Sequence, residues 1–203
     1  YSVLLVKPHN IEYRTDERVN VFCSKAVARG IAEVIPVPSK LPEMARNWAI
    51  DQFLNNPAHA RKTHIFFLDA DTCPRNDFAI EQLLIQGKDV IAGVTPIFRL
   101  KDEGLFTYDE LRNLNVKSED IKCMWSVVHK TDEKRDYYGI DELPAKPFIA
   151  DRVGGTTLLI SRRVLQKLKP PYQKTEYNET ITGVKLSEDY DFCEKIKAAG
   201  FDI

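Results

Sequence analysis

Two aspartates follow an apolar run in the segment IFFLDADT, and their spacing suggests a cation site. Carboxylates such as Asp69 and Asp71 repel each other by roughly 4 kcal/mol at about 4 Å and an effective dielectric near 20. Either one takes a proton or a cation neutralises the pair. Mg²⁺ typically binds one or two carboxylates together with substrate phosphates. We therefore expect Mg²⁺ or Mn²⁺ at Asp69 and Asp71, holding a diphosphate. The alternative is an acidic turn whose aspartates cap a helix after Pro74.

A second acidic group opens a helix near the C-terminus, in the segment LSEDYDFCEKIKAAG. Acidic residues at a helix N-terminus gain about 0.3–1 kcal/mol each from the helix dipole, which accounts for Glu188, Asp189 and Asp191 structurally. The functional alternative is that Asp189 or Glu188 takes a proton from a substrate hydroxyl, which requires hydrogen-bond reach and a suitable pKa. The pattern leaves both explanations open.

Glycines and an arginine supply further candidates for ligand binding. Gly154 and Gly155 have no side chains, so backbone can approach a ligand closely there, or they form a turn before a strand. Arg46 and Asn47 lie in a predicted helix beside the strand that carries Asp69. Arginine suits bidentate phosphate contact, although a solvent-facing arginine is the commoner outcome.

Other conspicuous side chains are predicted to be structural or solvated. Trp48 falls at helical spacing and is predicted to lie in the core. Trp125 could stack on a sugar or pack against protein. Arg162 and Arg163 open a helix and are predicted to be solvated.

The elements that must position these residues alternate between strand and helix over residues 1–94. The pattern predicts strands at residues 3–6, 31–37, 63–69 and 89–94, with helices at residues 16–29, from Pro42, and from Pro74 to Gly87 with Phe78 inward. This alternation indicates an α/β domain with a parallel sheet, in which ligands bind beyond the carboxyl ends of the strands.

The alternation of strands and helices ends after residue 94. Residues 95–152 read as a loop-rich insertion with a short antiparallel strand in IKCMWSVVH and a short helix in TYDELRNL. A strand in TTLLI, a helix capped by Ser161, and a last helix capped by Ser187 follow. We expect a single domain over residues 1–203.

Composition excludes several classes of protein as first interpretations. The chain has 203 residues, with 29 Lys and Arg against 30 Asp and Glu, so neither a basic nucleic-acid module nor a polybasic membrane binder is expected. No apolar stretch reaches transmembrane length, and the N-terminal segment does not resemble a signal peptide. The four cysteines lack short paired spacing, which favours free thiols in a reducing compartment, and we expect a cytoplasmic protein.

Taken in order, these segments resemble the GT-A fold glycosyltransferases, nearest to the large inverting family that uses nucleotide sugars. The similar segments are VLLVKPHN, ARNWAI, THIFFLDADTCP, DRVGGTTLLISRRVLQKL and SEDYDFCEKIKAAGFDI. The resemblance implies a GT-A, Rossmann-like, mostly parallel central sheet flanked by helices. It divides the domain into a nucleotide-binding half (1–94), a variable insertion (95–152) and an acceptor and catalytic half (153–203), truncated at its C-terminus.

The resemblance also implies a metal-dependent transfer from a UDP- or GDP-sugar to a hydroxyl of an unknown glycan, lipid or protein acceptor. By analogy with the family's metal-binding motif, Asp71 coordinates the metal and Asp69 holds the metal or the ribose. Asp189 is the base and Glu188 its neighbour. Donor contacts fall to Pro8, Asn10, Arg46, Asn47, Gly154 and Gly155.

The sequence departs from this family in two places. The loop after the second strand often carries an acidic residue that reads the base, whereas here Glu43 is the nearest. Relatives often place a histidine metal ligand beyond the segment matching AAGF, and this sequence ends at Ile203 before such a residue.

Two other functions fit parts of the pattern. IFFLDADT also matches the D-x-D-x-T signature of haloacid-dehalogenase-like phosphatases, in which Asp69 would be the nucleophile. A non-catalytic module that binds nucleotide sugars or glycans is the third interpretation.

Overall fold

A computed structural model describes residues 1–8, 15–37, 41–100, 105–106, 121–130, 135–177 and 184–203. The first part alternates strands and helices as expected. Its elements are β1 (Val3–Pro8), α1 (Glu17–Ala28), β2 (Ala32–Val37), α2 (Pro42–Asn55), a 3₁₀ turn (Pro57–His59), β3 (His64–Leu68), α3 (Ala79–Leu84) and β4 (Val90–Ala92).

The later elements are mostly strands. They are β5 (Pro96–Leu100), β6 (Leu105–Phe106), β7 (Ile121–Lys130), β8 (Arg135–Gly139), β9 (Arg152–Val153), β10 (Thr157–Ser161), α4 (Arg162–Leu165), β11 (Glu176–Tyr177), β12 (Val184–Leu186) and α5 (Glu188–Ala198). The predicted helix in residues 107–114 lies outside the described residues.

The central sheet has the strand order β2-β1-β3-β10-β4 and is mixed. β1 pairs in parallel with β2 and β3, whereas β10 lies between β3 and β4 and is antiparallel to both. Four of these strands therefore share one direction and β10 runs against them. The chain is thus a mixed α/β protein.

Helices cover both faces of the central sheet because successive residues of its strands point to opposite sides. Leu4, Val6 and Phe67 pack on one side with α2 and α5, and Leu5 and Phe66 pack on the other with α1 and α3. All five residues of β3 are buried, as expected for a strand covered on both faces. This packing fixes the end of β3, where Asp69 follows.

Residues 95–152 contain more strand than the sequence predicts. β5, β6, β7 and β8 form a second, antiparallel sheet, to which β9 adds by pairing with β7. An irregular register between Met124 and Val128 interrupts the alternation of β7. Such a shift weakens the period-two pattern by which a strand is recognised from sequence.

The third helix begins later than predicted. It starts at Ala79 rather than after Pro74, because the Asn76 side chain accepts a hydrogen bond from Phe78 N at 2.8 Å and holds a turn first. The inward placement of Phe78 is wrong, since its side chain is exposed and lies under the Arg29 guanidinium. Ser161 and Ser187 do precede helices, but neither side chain makes a capping hydrogen bond.

Across the described residues, we find no helix with the length and apolar character that crossing a membrane requires. All four cysteines are free thiols, and Cys23 and Cys193 are buried.

Candidate functional site

The turn after β3 presents Asp69 and Asp71 at the carboxyl end of the buried strand. Asp69 N donates to Thr156 O at 3.2 Å, which extends the ladder between β3 and β10 by one bond. The backbone N–H of Asp16, the residue that caps α1, donates to Ala70 O at 2.9 Å. Asp69 is half-buried and Asp71 is exposed. The turn is therefore anchored from two sides, with the second carboxylate facing solvent.

Arg46 on α2 is buried, with 4% of its surface exposed. Its Nη2 lies 3.4 Å from Asp69 Oδ1, its Nη1 lies 3.5 Å from Glu188 Oε1, and the same Nη1 forms a close ion pair with Asp189 Oδ1. We call these four residues the Arg46 cluster. Burial acts to lower the pKa of Arg46, but the three carboxylates outweigh it and raise the pKa above its usual value.

The first turn of α5 supplies the other two carboxylates of the cluster. The Glu188 and Asp189 side chains each keep about a fifth of their surface exposed, 20% and 21% respectively. Burial and the neighbouring Asp189 charge raise the pKa of Glu188, and the Arg46 guanidinium only partly opposes them. A raised pKa makes the Glu188 carboxylate a stronger base than an ordinary glutamate, and its partial exposure lets a substrate reach it.

Gly155 makes the close packing of the Arg46 cluster possible. A Cβ built on Gly155 would lie 2.7 Å from Arg46 Cζ and would also collide with Asp189 Oδ1. The adjacent Gly154 faces Ser126 instead, with a Cβ position 3.3 Å from Ser126 Cβ. The two glycines thus have different neighbours, and the one at position 155 leaves room for the Arg46 and Asp189 side chains.

A segment before β11 is held against α2 by side-chain hydrogen bonds. Asn47 Nδ2 donates to Gln173 O at 2.7 Å, and Gln173 N donates to Asn47 Oδ1 at 3.0 Å. Thr175 N donates to Glu43 Oε2 at 2.7 Å, and the Thr175 hydroxyl lies 3.5 Å from Glu188 Oε2. No local sequence pattern marks this segment, because its contacts with α2 join residues more than 100 positions apart.

The predicted site residues meet in part. Arg46, Asp69, Gly155, Glu188 and Asp189 come together from four separate stretches of chain, and Asp71 follows two residues after Asp69. The other predicted site residues lie elsewhere in the structure or outside the described residues. Pro8 ends β1 opposite Val37, Asn47 binds the backbone of Gln173, Gly154 faces Ser126, and Asn10 lies outside the described residues.

Three predictions about single side chains need correction. Arg46 does not face solvent. Trp48 is 40% exposed rather than in the core, because α2 buries the side that carries Arg46, Ala49 and Ile50. Arg162 is not merely solvated, since its guanidinium donates to the carbonyls of Lys62, Phe53 and His59.

Other predicted side chains make contacts within the protein. Trp125 Nε1 donates to Ile140 O at 2.9 Å, which supports a packing role. Glu43, the acidic residue nearest the loop after β2, accepts a hydrogen bond from the Thr175 backbone. Arg163 is exposed and forms an ion pair with Asp89.

Asp69 and Asp71 carry the oxygen donors that a hard divalent cation prefers. Within the described ranges, no group of three His, Cys, Asp or Glu side chains is arranged as a metal cage. Mg²⁺ does not need one, because it commonly uses one or two carboxylates and completes its shell with phosphate oxygens and water. Asp69 and Asp71 offer oxygen ligands on the accessible side of the turn.

The comparisons with known proteins bear on the fold and not on the chemistry of the site. No protein family and no curated protein matches the sequence. Among the solved structures that match is A197 from STIV, with a TM-score of 0.54 and 19% identity over 97% of this chain and 78% of that chain. At this identity the similarity concerns the fold alone, a mixed α/β architecture over nearly the whole chain.

Proposed function

We propose that this protein is a GT-A fold glycosyltransferase that moves a sugar from a nucleotide-diphosphate sugar to an acceptor hydroxyl. The observation that carries the proposal is the meeting of Asp69 and Asp189 on one guanidinium. Residues 120 positions apart in the sequence, which are expected to serve the same substrate, both contact Arg46 and so lie close enough for one substrate to reach both.

The charge of the Arg46 cluster supports the use of a metal ion. With all three carboxylates ionised, one guanidinium leaves the cluster with a net charge of −2, and Asp71 adds a further negative charge nearby. A donor diphosphate is itself anionic, so it would be repelled unless a cation intervened. When bound, Mg²⁺ or Mn²⁺ would neutralise charge on the departing diphosphate.

The chain's own residues divide the remaining work between them. Asp69 and Asp71 would hold the cation at the carboxyl end of β3, and the missing side chain of Gly155 leaves room for Arg46 to pack against Asp189. Asp189, with Glu188 beside it, accepts the proton of the acceptor hydroxyl as the oxygen attacks the anomeric carbon. The second sheet, built from residues 95–152, is the part we assign to the acceptor.

Nucleotide binding tests this proposal directly. UDP, GDP, CDP and dTDP are each added with Mn²⁺, and thermal unfolding is followed. The correct nucleotide at 100 times its dissociation constant should add about 2.7 kcal/mol of stability. Asp71→Ala should abolish this gain and the transfer of sugar from the matching donor. Asp77→Asn, at an exposed carboxylate paired with Lys25, is the matched control and should retain both.

Two results would contradict the proposal. One is the absence of any thermal response to all four nucleotides with Mn²⁺. The other is hydrolysis of p-nitrophenyl phosphate that is lost in Asp69→Asn, since that result would favour a phosphatase with Asp69 as the nucleophile.

A further inference from the structure

The contacts of Arg46 differ from those of an arginine whose guanidinium is free to bind a phosphate. The described contacts of its guanidinium go to carboxylates from two elements, Asp69 after β3 and the Glu188–Asp189 pair of α5. A buried guanidinium is strongly destabilising unless its charge and its N–H groups are matched, and these carboxylates provide the match. The side chain therefore already has anionic partners within the protein.

The backbone at Gly155 closes one side of this arrangement. Its hypothetical Cβ falls 2.7 Å from both Arg46 Cζ and Arg46 Nη1, so the peptide lies directly against the guanidinium. With backbone against it and carboxylates at its nitrogens, the 4% exposed Arg46 side chain presents little surface to a diphosphate. The geometry suits a residue that orients other side chains.

We propose that Arg46 is a positioning residue that fixes the carboxylate of Asp189 and links it to Asp69, rather than a ligand of the donor diphosphate. The inference rests on the proposed function, because it concerns the base of that reaction. The ion pair engages Oδ1 of Asp189. Oδ2 is the oxygen that we assign to the acceptor hydroxyl.

In the step that Arg46 serves, the acceptor O–H proton passes to Asp189 Oδ2 while the acceptor oxygen bonds to the anomeric carbon. The bond from that carbon to the diphosphate breaks, and its electron pair leaves on the diphosphate. The proton of Asp189 then passes to water. Arg46 exchanges no proton and keeps its charge throughout, in line with its raised pKa.

A stability experiment tests the link between Arg46 and Asp189 without any substrate. Arg46→Met leaves three neighbouring carboxylates without their cation, so the urea midpoint of unfolding should fall. Adding Asp189→Asn removes one of these carboxylates and should raise the midpoint of the Arg46→Met protein. In the wild-type background the same Asp189→Asn change should lower the midpoint, because it removes a partner of a buried arginine.

Arg162→Met is the matched control. Arg162 donates to the carbonyls of Lys62, Phe53 and His59 and has no described carboxylate partner, so Asp189→Asn should not raise the midpoint of an Arg162→Met protein. Equal losses from Asp189→Asn in the wild-type, Arg46→Met and Arg162→Met backgrounds would overturn the proposed link. Where Arg46→Met does not fold, Arg46→Gln takes its place, since the neutral glutamine also leaves the carboxylates without their cation.

An activity experiment separates positioning from donor binding. Arg46→Lys keeps the charge and displaces Asp189, so kcat should fall by about 10²-fold, the typical loss for a misplacement of about 1 Å. The dissociation constant of the nucleotide with Mn²⁺ should change far less than kcat, because Arg46 affects nucleotide binding only through Asp69 and is not itself a ligand. Weaker nucleotide binding with an unchanged kcat would show that Arg46 contacts the donor and would overturn the inference.

The two experiments distinguish failure of the inference from failure of the proposed function. A wild-type protein that transfers no sugar, but in which Asp189→Asn raises the midpoint of Arg46→Met, would contradict the proposed function and retain the link between the carboxylates. If the protein transfers sugar but the stability losses of Arg46→Met and Asp189→Asn simply add, the proposed function stands and Arg46 has no positioning role.

Discussion

At the scale of single residues, Gly155 illustrates a glycine required by its neighbours rather than by its own backbone angles. The Arg46 guanidinium and the Asp189 carboxylate occupy the space that a side chain at this position would need. The sequence suggested a ligand beside the glycine pair, and the structure places the Arg46 cluster beside Gly155. A substitution here acts on that cluster without changing the charge of the protein.

We predict that Gly155→Ala destabilises the protein by about 1–3 kcal/mol, the usual cost of forcing a methyl group into a packed space. Gly154→Ala is the comparison, because its Cβ meets Ser126 Cβ at 3.3 Å, a contact that a small shift relieves. Urea unfolding of both variants measures the difference. An equal or larger loss for Gly154→Ala would show that the packing at Gly155 is not the tighter of the two.

The raised pKa of Glu188 predicts a pH-dependent stability. Burial first, and then the Asp189 charge, favour the protonated form in the folded state. The stability that this protonated group contributes is present below its unfolded pKa and is lost as the pH rises through the folded pKa. Relative to wild type, Glu188→Gln should therefore become progressively more stable as the pH is raised from 4 towards 7, as measured by urea unfolding.

Glu33→Gln should show the opposite trend. The hydrogen bond from Lys62 lowers the pKa of Glu33, so its carboxylate contributes stability above its unfolded pKa, and that stability is lost on acidification. Glu33→Gln should lose stability relative to wild type as the pH rises. A stability difference for Glu188→Gln that does not change with pH would contradict the predicted protonation.

At the scale of elements, helix α2 carries two kinds of attachment on neighbouring residues. Arg46 connects α2 to the turn after β3 and to α5, and Asn47 connects it to the segment before β11. The start of this helix at Pro42 follows the sequence prediction, since proline favours a first helical turn. The sequence did not predict which side of α2 is buried.

The error on Trp48 shows why the buried side was not predictable. Hydrophobic spacing favours burial of a tryptophan over an arginine, and the described ion pairs of Arg46 all reach outside α2. The neutralising carboxylates lie 23 residues away at Asp69 and more than 140 residues away on α5. A charge matched by distant residues leaves no trace in local periodicity, so tertiary contacts decide the orientation of this helix.

We predict that Asn47→Ala costs about 1–3 kcal/mol, because it removes two hydrogen bonds and leaves the backbone of Gln173 without those partners. Asn55→Ala on the same helix removes an exposed contact to Asp51 and should change stability by less than about 0.5 kcal/mol. Chemical denaturation compares the two. Similar effects would show that the anchoring of the segment before β11 contributes little.

At the scale of the whole molecule, the two sheets share a core. Val127 and Val153 of the second sheet pack in the same cluster as Leu158 and Ile160 of the central sheet. Gly154 N donates to Ser126 O at 2.9 Å and extends the pairing of β7 with β9 towards the start of β10. Because the packing is continuous, we expect the sheets to unfold together.

The two tryptophans test this expectation. Trp48 lies on α2 beside the central sheet and Trp125 lies on β7 of the second sheet, and the chain has no others. In Trp125→Phe and Trp48→Phe, fluorescence follows one side of the molecule at a time. Each variant should give the same midpoint by fluorescence and by far-UV circular dichroism. Separate midpoints within one variant would reveal two units and contradict the single domain expected from the sequence.

Most of the central sheet was predictable, and most of the second was not. The apolar runs that become β1 and β3 are buried on both faces, so burial marks them in the sequence without ambiguity. β8 and β9 carry Arg135, Tyr137 and Arg152, whose half-exposed side chains give no apolar signal. The convergence of Asp69 with Asp189 was predictable as an expectation from the resemblance, whereas the guanidinium between them was not.

The reversed direction of β10 has a consequence for how this protein could change over evolution. Since β10 runs back along β3, the start of β10 lies beside the end of β3, and Leu68 pairs with Thr157. The backbone bond from Asp69 to Thr156 then sets Gly155 in place whatever the length of the chain between them. The loops that join the strands of the second sheet could accordingly change in length while Gly155 keeps its place beside the turn that carries Asp69.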